Sequence, residues 1–283
     1  MKRSLASLCL LASLLAGLTG CSGESPINLP FLASQTPSQT PAPTATPTPS
    51  PTPTVTPSPT PVPAARIEQA DWMLFLGDYE AAQAEYQIAL DAASDDETKA
   101  AALVGLGRAH LEQENPLVAL TYLRQALQEY SDTYHGKMAY YFLGETYTYQ
   151  QNYAEAALAY ESFQYLRPGV IDAALFEKMG IARLRAGDPA GAVEAYQAAL
   201  AAEPGGDTTS LRISIGQAYT TAFDYNNAIR TYAEAFDLTS SDYYRASIDY
   251  LLGNVYLALG YTDQAHARFQ DAVNNYPRSY DSY

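Results

Sequence analysis

A strict spacing of small residues governs the chain from about residue 64 onward. Glycine recurs every 36 or 37 residues, at Gly107, Gly144, Gly180, Gly216 and Gly253. Alanine keeps the same rhythm at Ala82, Ala119, Ala156, Ala192, Ala228 and Ala265. A fixed period of this size is typical of arrays in which each repeat is one supersecondary unit that buries its apolar face on its neighbours. The spacing therefore predicts a stack of six similar units.

Each repeat contains two helical patterns with turn residues between them. Four residues after each alanine comes a large apolar or aromatic residue: Tyr86, Leu123, Tyr160, Tyr196, Tyr232 or Phe269. Three residues further on lies another alanine or a phenylalanine, and the spacing i, i+4, i+7 places all three on one helical face. Turn signals such as Asn115-Pro116 and Gly187-Asp188-Pro189 fall between the glycine and the alanine. The pattern predicts an all-α fold of six helix–turn–helix units.

The units resemble the tetratricopeptide repeat, whose pattern is W-x2-L-G-x2-Y, then A-x3-F, then A and P. The third unit carries Tyr140, Leu143, Gly144, Tyr147, Ala156, Tyr160 and Pro168 at these positions. The sixth carries Gly253, Tyr256, Ala265, Phe269, Ala272 and Pro277. The resemblance covers residues 64 to about 278 and implies a right-handed solenoid that forms one domain, residues 64–283.

This sequence departs from the family pattern in two ways. The period of 36 to 37 residues exceeds the usual 34, and we expect the additional residues to lengthen the loops between units. The first unit has Ala70 at the glycine position, and the second and fourth have His110 and Arg183 at the tyrosine position.

The chain begins with the pattern of an export signal. Lys2 and Arg3 precede an apolar run, from about Leu5 to Leu18, that is too short to span a membrane. The segment Leu18-Thr19-Gly20-Cys21 resembles the bacterial lipobox, which implies a lipoprotein signal peptide over residues 1–20 and acylation of Cys21. The only other cysteine is Cys9 in the leader, so the exported domain offers no thiol for a disulfide, a metal or a nucleophile.

A proline-rich spacer follows the lipobox, over residues 21–63. Residues 35–63 contain eleven prolines and no charge. Proline lacks an amide donor and fixes φ near the polyproline II value, so the segment cannot join a helix or a sheet and is predicted to be a disordered, extended linker. The sequence thus predicts a lipid-anchored protein on the extracytoplasmic face of a cell membrane, inner or outer, with its domain held away from the lipid.

The sequence shows no assembled catalytic, cofactor or metal site. Its histidines, His110, His135 and His266, fall in different units, and no P-loop, nucleophile elbow or zinc signature occurs. Glu161-Ser162 matches the pair around the catalytic acid of lytic transglycosylases, but Glu161 lies within a predicted helix. With 31 acidic against 16 basic residues, nucleic acid is excluded as a partner. We therefore expect neither an enzyme nor a cofactor.

A protein or peptide of the cell envelope is the partner that the resemblance implies. In this family the ligand lies along the first helix of each unit, and aromatic residues there supply most of the binding energy in such contacts. Mapped onto this sequence, the predicted groove contains Phe75, Arg108, Tyr141, Glu145, Tyr149, Arg185, Gln217, Tyr250 and Asn254. The three tyrosines are predicted to lie outside the packing positions.

Two alternative functions stay open at this point. Helical solenoids precede the catalytic domain of soluble lytic transglycosylases, and envelope-assembly lipoproteins share the anchor and the repeats. Repeat arrays normally end in a polar capping helix, whereas Phe269 and Val273 of the last unit lack one. The chain is then either a fragment of a longer protein or one that covers its last unit by forming a homodimer.

Lipidation is tested by changing Cys21 to alanine. The variant should accumulate as an uncleaved precursor without an acyl chain, because the thiol is the site of attachment. Metabolic labelling with a palmitate analogue measures this. The matched control Cys9→Ala changes a cysteine of the leader and should be processed and labelled normally. Label on the Cys21→Ala protein would contradict the prediction.

Overall fold

A computed structural model describes residues 62–167, 172–202 and 208–276. The predicted leader, the acylation residue Cys21 and nearly all of the spacer lie outside the described residues, as do Pro168 and Pro277 of the repeat motif. The spacer was predicted to extend to Pro63, but Pro63 is the first residue of a helix.

The described residues form helices and no strands, which confirms the predicted all-α fold. The helices pair in sequence order, two to a unit. They are α1 Pro63–Phe75, α2 Tyr79–Ala92, α3 Asp96–Glu112, α4 Pro116–Tyr130, α5 Tyr134–Tyr149, α6 Tyr153–Leu166, α7 Ala173–Arg185, α8 Pro189–Ala202, α9 Thr209–Thr221, α10 Tyr225–Leu238, α11 Asp242–Ala258 and α12 Thr262–Asn274.

A three-residue turn joins the two helices of every unit, and its middle residue has a positive φ. Glycine occupies this position in three turns and Glu114, Gln151 and Phe223 in the others. Phe223, at φ 60, holds a bulky side chain where glycine is favoured, at a cost of about 1 kcal/mol or more. The last turn residue caps the second helix in several units. The Asp188 carboxylate, for example, accepts a hydrogen bond from the amide of Gly191 at 2.9 Å.

The repeated glycine lies where the two helices of a unit come closest. A β-carbon added at Gly144 would stand 2.4 Å from the ring of Tyr160, and one added at Gly216 would stand equally close to Tyr232. Both rings are almost completely buried. The ring of the second helix thus occupies the space that a side chain of the first helix would fill, which explains why these two positions are fixed together in the sequence.

Stacking of units makes the core continuous. The second-helix residues Ala156, Tyr160 and Phe163 form one buried cluster with Leu175 and Met179, which lie on the first helix of the next unit. Equivalent clusters form at the other junctions. Each unit therefore covers the apolar surface of the unit before it, as expected for a solenoid.

The additional residues of the period do not lengthen most of the inter-unit loops, and the prediction is wrong at three of the five junctions. Only three residues separate α2 from α3, α4 from α5 and α10 from α11. The residues instead add a turn to the following first helix, so that α3, α5 and α11 have 16 or 17 residues where α1, α7 and α9 have 13. The added turn of α3 carries Glu97, whose carboxylate accepts hydrogen bonds from the first two amides of α5.

The departures from the motif each have a packing reason. In the first unit, with Ala70 at the glycine position, the ring of Tyr86 lies against Gly105 of the next unit. Arg183 reaches from α7 to the carboxylate of Glu161 on α6 at 2.7 Å and to a carbonyl of α8 at 3.0 Å. His110 stacks on Tyr122 at a centroid distance of 5.5 Å.

The glycine–ring contact predicts a loss of stability for Gly144→Ala. Overpacking lowers the stability of the fold by about 1–3 kcal/mol, while the higher helix propensity of alanine over glycine raises it by about 1 kcal/mol. We expect the free energy of unfolding to fall by up to about 2 kcal/mol, as measured by urea denaturation. The control Gln128→Ala, at an exposed position of α4, should leave it unchanged or slightly higher. An unchanged or increased stability of Gly144→Ala would show that the ring has room to move.

Candidate partner-binding groove

The predicted groove residues all lie on first helices, at equivalent places in successive units. We call this surface the groove face; it consists of Phe75, Arg108, Tyr141, Glu145, Tyr149, Arg185, Gln217, Tyr250 and Asn254. The helices α1, α3 and α5 pack side by side, and so do α9 and α11.

Arg108 joins the first three units on the groove face. Its guanidinium donates to Asp71 of α1 at 3.1 Å and lies 5.0 Å from the ring centroid of Phe142 on α5. The same Asp71 oxygen accepts a hydrogen bond from the hydroxyl group of buried Tyr86 at 2.6 Å. Burial, together with this hydrogen bond, raises the pKa of Tyr86 above its usual range. Arg108 thus links three first helices, and its half-buried side chain stays partly accessible to solvent.

Glu145 forms a second polar centre, between the third and fourth units. Its carboxylate accepts a hydrogen bond from the hydroxyl group of Tyr160 at 2.5 Å and forms an ion pair with Lys178 of α7 at 3.0 Å. Both centres follow one design. A carboxylate of the first helix accepts a hydrogen bond from the buried tyrosine of its own unit and forms an ion pair with a cation of the next unit. These groups hold neighbouring first helices in register.

Tyr141 does not lie outside the packing positions, contrary to the prediction. Its ring contacts Phe142, Tyr160 and Phe163 at centroid distances between 5.2 and 5.9 Å and packs against a buried cluster. The reason is that its helix position faces Phe163 of α6, where the other units carry alanine. Tyr141 therefore belongs partly to the core.

Tyr149 lines a cavity on the groove face. The cavity has a volume of about 400 Å³ and is bounded by Tyr149, Glu145 and Thr148 of α5 and by Leu111, Glu112 and Glu114 at the end of α3. The ring of Tyr149 is 49% exposed. Glu145 and Tyr149 of the predicted groove both line this cavity, together with residues that sequence reasoning missed.

The remaining predicted residues lie farther along the array. Phe75 is 78% exposed and stacks on Trp72, and Tyr250 is 54% exposed with its ring 5.8 Å from that of Phe269. Arg185 and Gln217 are exposed and Asn254 is half-buried, each on a different helix. The structure thus places them on the same face without joining them to the two polar centres.

The missed residues are those at the ends of first helices and one turn away from the mapped positions. Lys178 and Phe142 share one repeat position, and Glu112 and Glu114 border the turn that leads to α4. Lys178 and Glu145 occupy different repeat positions, so a comparison of equivalent positions in neighbouring units would not have paired them. The turn residues carried no pairing signal either.

The described residues contain no group of three histidine, cysteine or acidic side chains placed to hold a metal ion. Glu161 is held by two hydrogen bonds from Arg183 in an ion pair between α6 and α7. Among the helices described, none combines the length and the apolar character that a membrane crossing requires.

Comparison with known families agrees with the repeat architecture, a solenoid of helical hairpins. Family models of the tetratricopeptide repeat match residues 69–132, 104–170 and 177–243, and a further one matches 249–279. Together they cover more than half of the sequence, and the chain belongs to the tetratricopeptide-repeat family. A search of curated proteins found no match.

Solved structures share the fold at low sequence identity. The C-terminal part of a TPR protein from Cytophaga hutchinsonii has a TM-score of 0.62 at 15% identity, covering 76% of this chain and 84% of that one. YrrB, described as a TPR protein with an unusual peptide-binding site, has a TM-score of 0.55 at 19% identity, with coverages of 68% and 93%. PilF of Pseudomonas aeruginosa has a TM-score of 0.52 at 20% identity, with coverages of 77% and 93%.

The Tyr160–Glu145 contact predicts how stability depends on pH. Burial and the hydrogen bond raise the folded-state pKa of Tyr160 above the unfolded value of about 10, so above pH 10 the unfolded chain loses its proton first. The free energy of unfolding should then fall as the pH rises, by up to about 1.4 kcal/mol per pH unit for this group. Tyr160→Phe should reduce this slope in urea denaturation between pH 9 and 11.

Phenylalanine occupies the same repeat position in the sixth unit, so the variant is expected to fold. The control Tyr165→Phe removes a hydroxyl from an exposed ring of α6 and should keep the full slope. Equal slopes for Tyr160→Phe and the unmodified protein would contradict the prediction.

Proposed function

We propose that this protein is a non-enzymatic scaffold, anchored to a membrane by acylated Cys21, that binds a peptide or protein of the cell envelope along its groove face. Membership of the tetratricopeptide-repeat family supports protein binding. The half-exposed aromatic residues of the groove face are the observation that carries the proposal.

The groove face combines charged residues held in place by neighbouring helices with exposed aromatic rings, as expected of a binding surface. Arg108 and Glu145 are held by partners on neighbouring helices, so the surface is rigid before a ligand arrives. Tyr149 and Tyr250 expose about half of their rings, and aromatic side chains in such positions are the commonest anchors of protein interfaces. An extended peptide or a partner helix that follows the array would meet both rings.

The extracytoplasmic location rests on the sequence before the solenoid. A charged and apolar leader, a lipobox-like segment and a proline-rich spacer follow one another in the order expected of an anchored, exported domain. At about 3.1 Å per residue, a polyproline-like chain the length of residues 35–61 spans on the order of 80 Å. A spacer of that reach lets the solenoid meet partners away from the membrane surface.

Site-specific photo-crosslinking in the native cell tests the groove. A benzophenone amino acid at position 149 or 250 should capture the same partner, which mass spectrometry identifies. The matched control is position 165, because Tyr165 is 84% exposed but lies on a second helix. The purified partner should then bind Tyr149→Ala/Tyr250→Ala at least tenfold more weakly than the unmodified protein, with an unchanged helical spectrum.

Capture from position 165 alone, or an unchanged affinity of the double variant, would overturn the groove assignment. Release of anhydromuropeptides from purified peptidoglycan by a longer native form of the chain would instead identify the solenoid as the accessory arm of a cell-wall enzyme.

A further inference from the structure

We propose that copies of this protein associate head to tail, with the open surface of the first unit packed on the open surface of the sixth. We call these the N-terminal end surface, consisting of Ala65, Glu68, Gln69, Trp72 and Leu76, and the C-terminal end surface, consisting of Leu257, Ala265, His266, Phe269 and Val273. The two end surfaces border the groove face, since Trp72 stacks on Phe75 and Phe269 lies against Tyr250, but no residue belongs to both. Self-association is also measured without a partner, so the proposal stands or falls independently of the proposed function.

The internal junctions show how one unit covers the next. At the junction of the fifth and sixth units, Ile248, Leu252 and Val255 of α11 share a buried cluster with Ala228 and Tyr232 of α10. At the junction of the first and second units, Leu106 and Ala109 of α3 cover Ala82 and Tyr86 of α2 in the same way. One side of a junction is always the first helix of the following unit.

In the first unit, the corresponding side of α1 has no preceding unit to pack on. Ala65, Gln69 and Trp72 of α1 correspond in the repeat to Ile248, Leu252 and Val255 of α11. All three are exposed, and the indole of Trp72 is 60% accessible. Leu76 is 62% exposed beside it. A large aromatic residue therefore stands where the internal units carry a buried small or aliphatic residue.

The sixth unit presents the opposite surface. Ala265 and Phe269 correspond to Ala228 and Tyr232, and together with Leu257, His266 and Val273 they border an open cavity of about 560 Å³. Val273 is 60% exposed. The cavity is large enough for an indole ring, and its apolar floor is the surface that the first helix of a following unit covers at every internal junction.

Two polar side chains at the end surfaces fit the same alignment of units. Glu68 corresponds to Leu251, and His266 corresponds to Ile229; Leu251 and Ile229 pack in one cluster at the internal junction. Head-to-tail packing therefore brings a carboxylate opposite an imidazole. A second copy supplies both the apolar residue and a hydrogen-bond acceptor for the imidazole of this end surface, which favours it over an unrelated partner. Because two different surfaces meet, the contact is heterologous and builds open chains or rings.

Sedimentation equilibrium of the purified protein, in density-matched detergent and over a range of concentrations, tests the proposal. The mass should rise above that of one copy as the concentration increases. Trp72→Glu and Val273→Glu, both at exposed positions, should each remain single copies with an unchanged helical spectrum. The control Leu117→Glu changes an equally exposed apolar residue of α4 and should associate as the unmodified protein does.

Mixing the two single-copy variants gives the decisive measurement. Trp72→Glu keeps an intact C-terminal end surface and Val273→Glu an intact N-terminal one, so an equimolar mixture should form pairs and nothing larger. An unmodified protein that stays a single copy at every concentration would overturn the proposal. So would persistent association of Trp72→Glu, which indicates a symmetric contact. Association that begins only after deletion of residues 277–283 would show that those residues cover the cavity, and it too would overturn the proposal.

Discussion

The close approach of two helices within each unit is the contact on which the rest of the fold depends. In four of the six units it pairs a glycine of the first helix with a large ring of the second, as at Gly144 and Tyr160. The buried ring also contacts the first helix of the next unit. One side chain therefore packs the two helices of its own unit together and joins that unit to the next. A period of 36 to 37 residues is maintained because neither partner of this contact can move alone.

The same rings link the core to the groove face. The hydroxyl groups of Tyr86 and Tyr160 emerge at that face and donate to Asp71 and Glu145, which a cation of the next unit neutralises in turn. A buried hydroxyl needs such an acceptor, and a partly buried carboxylate needs a positive partner. Packing inside the solenoid therefore fixes charged groups on its surface, and the proposed binding surface is rigid for that reason.

The ends of the array follow from the same principle. A repeat that buries its apolar face only on a neighbour leaves one face open at each end. On the open face of the first unit, the polar residues Glu68 and Gln69 lie beside exposed Trp72. The open face of the sixth unit contains an apolar cavity. The two faces match because each belongs to one side of a junction that occurs five times within the chain.

The sequence by itself determined the number of units and the helix–turn–helix order, since these depend on local periodicity. It also placed Glu145 and Tyr149 on one predicted first helix, where both line one cavity. It did not show that additional residues lengthen α3, α5 and α11, because helix and loop accommodate the same spacing. Nor did it show that Tyr141 packs into the core or that Lys178 reaches Glu145. Those outcomes depend on the distance and angle between neighbouring first helices, which only the packed tertiary structure decides.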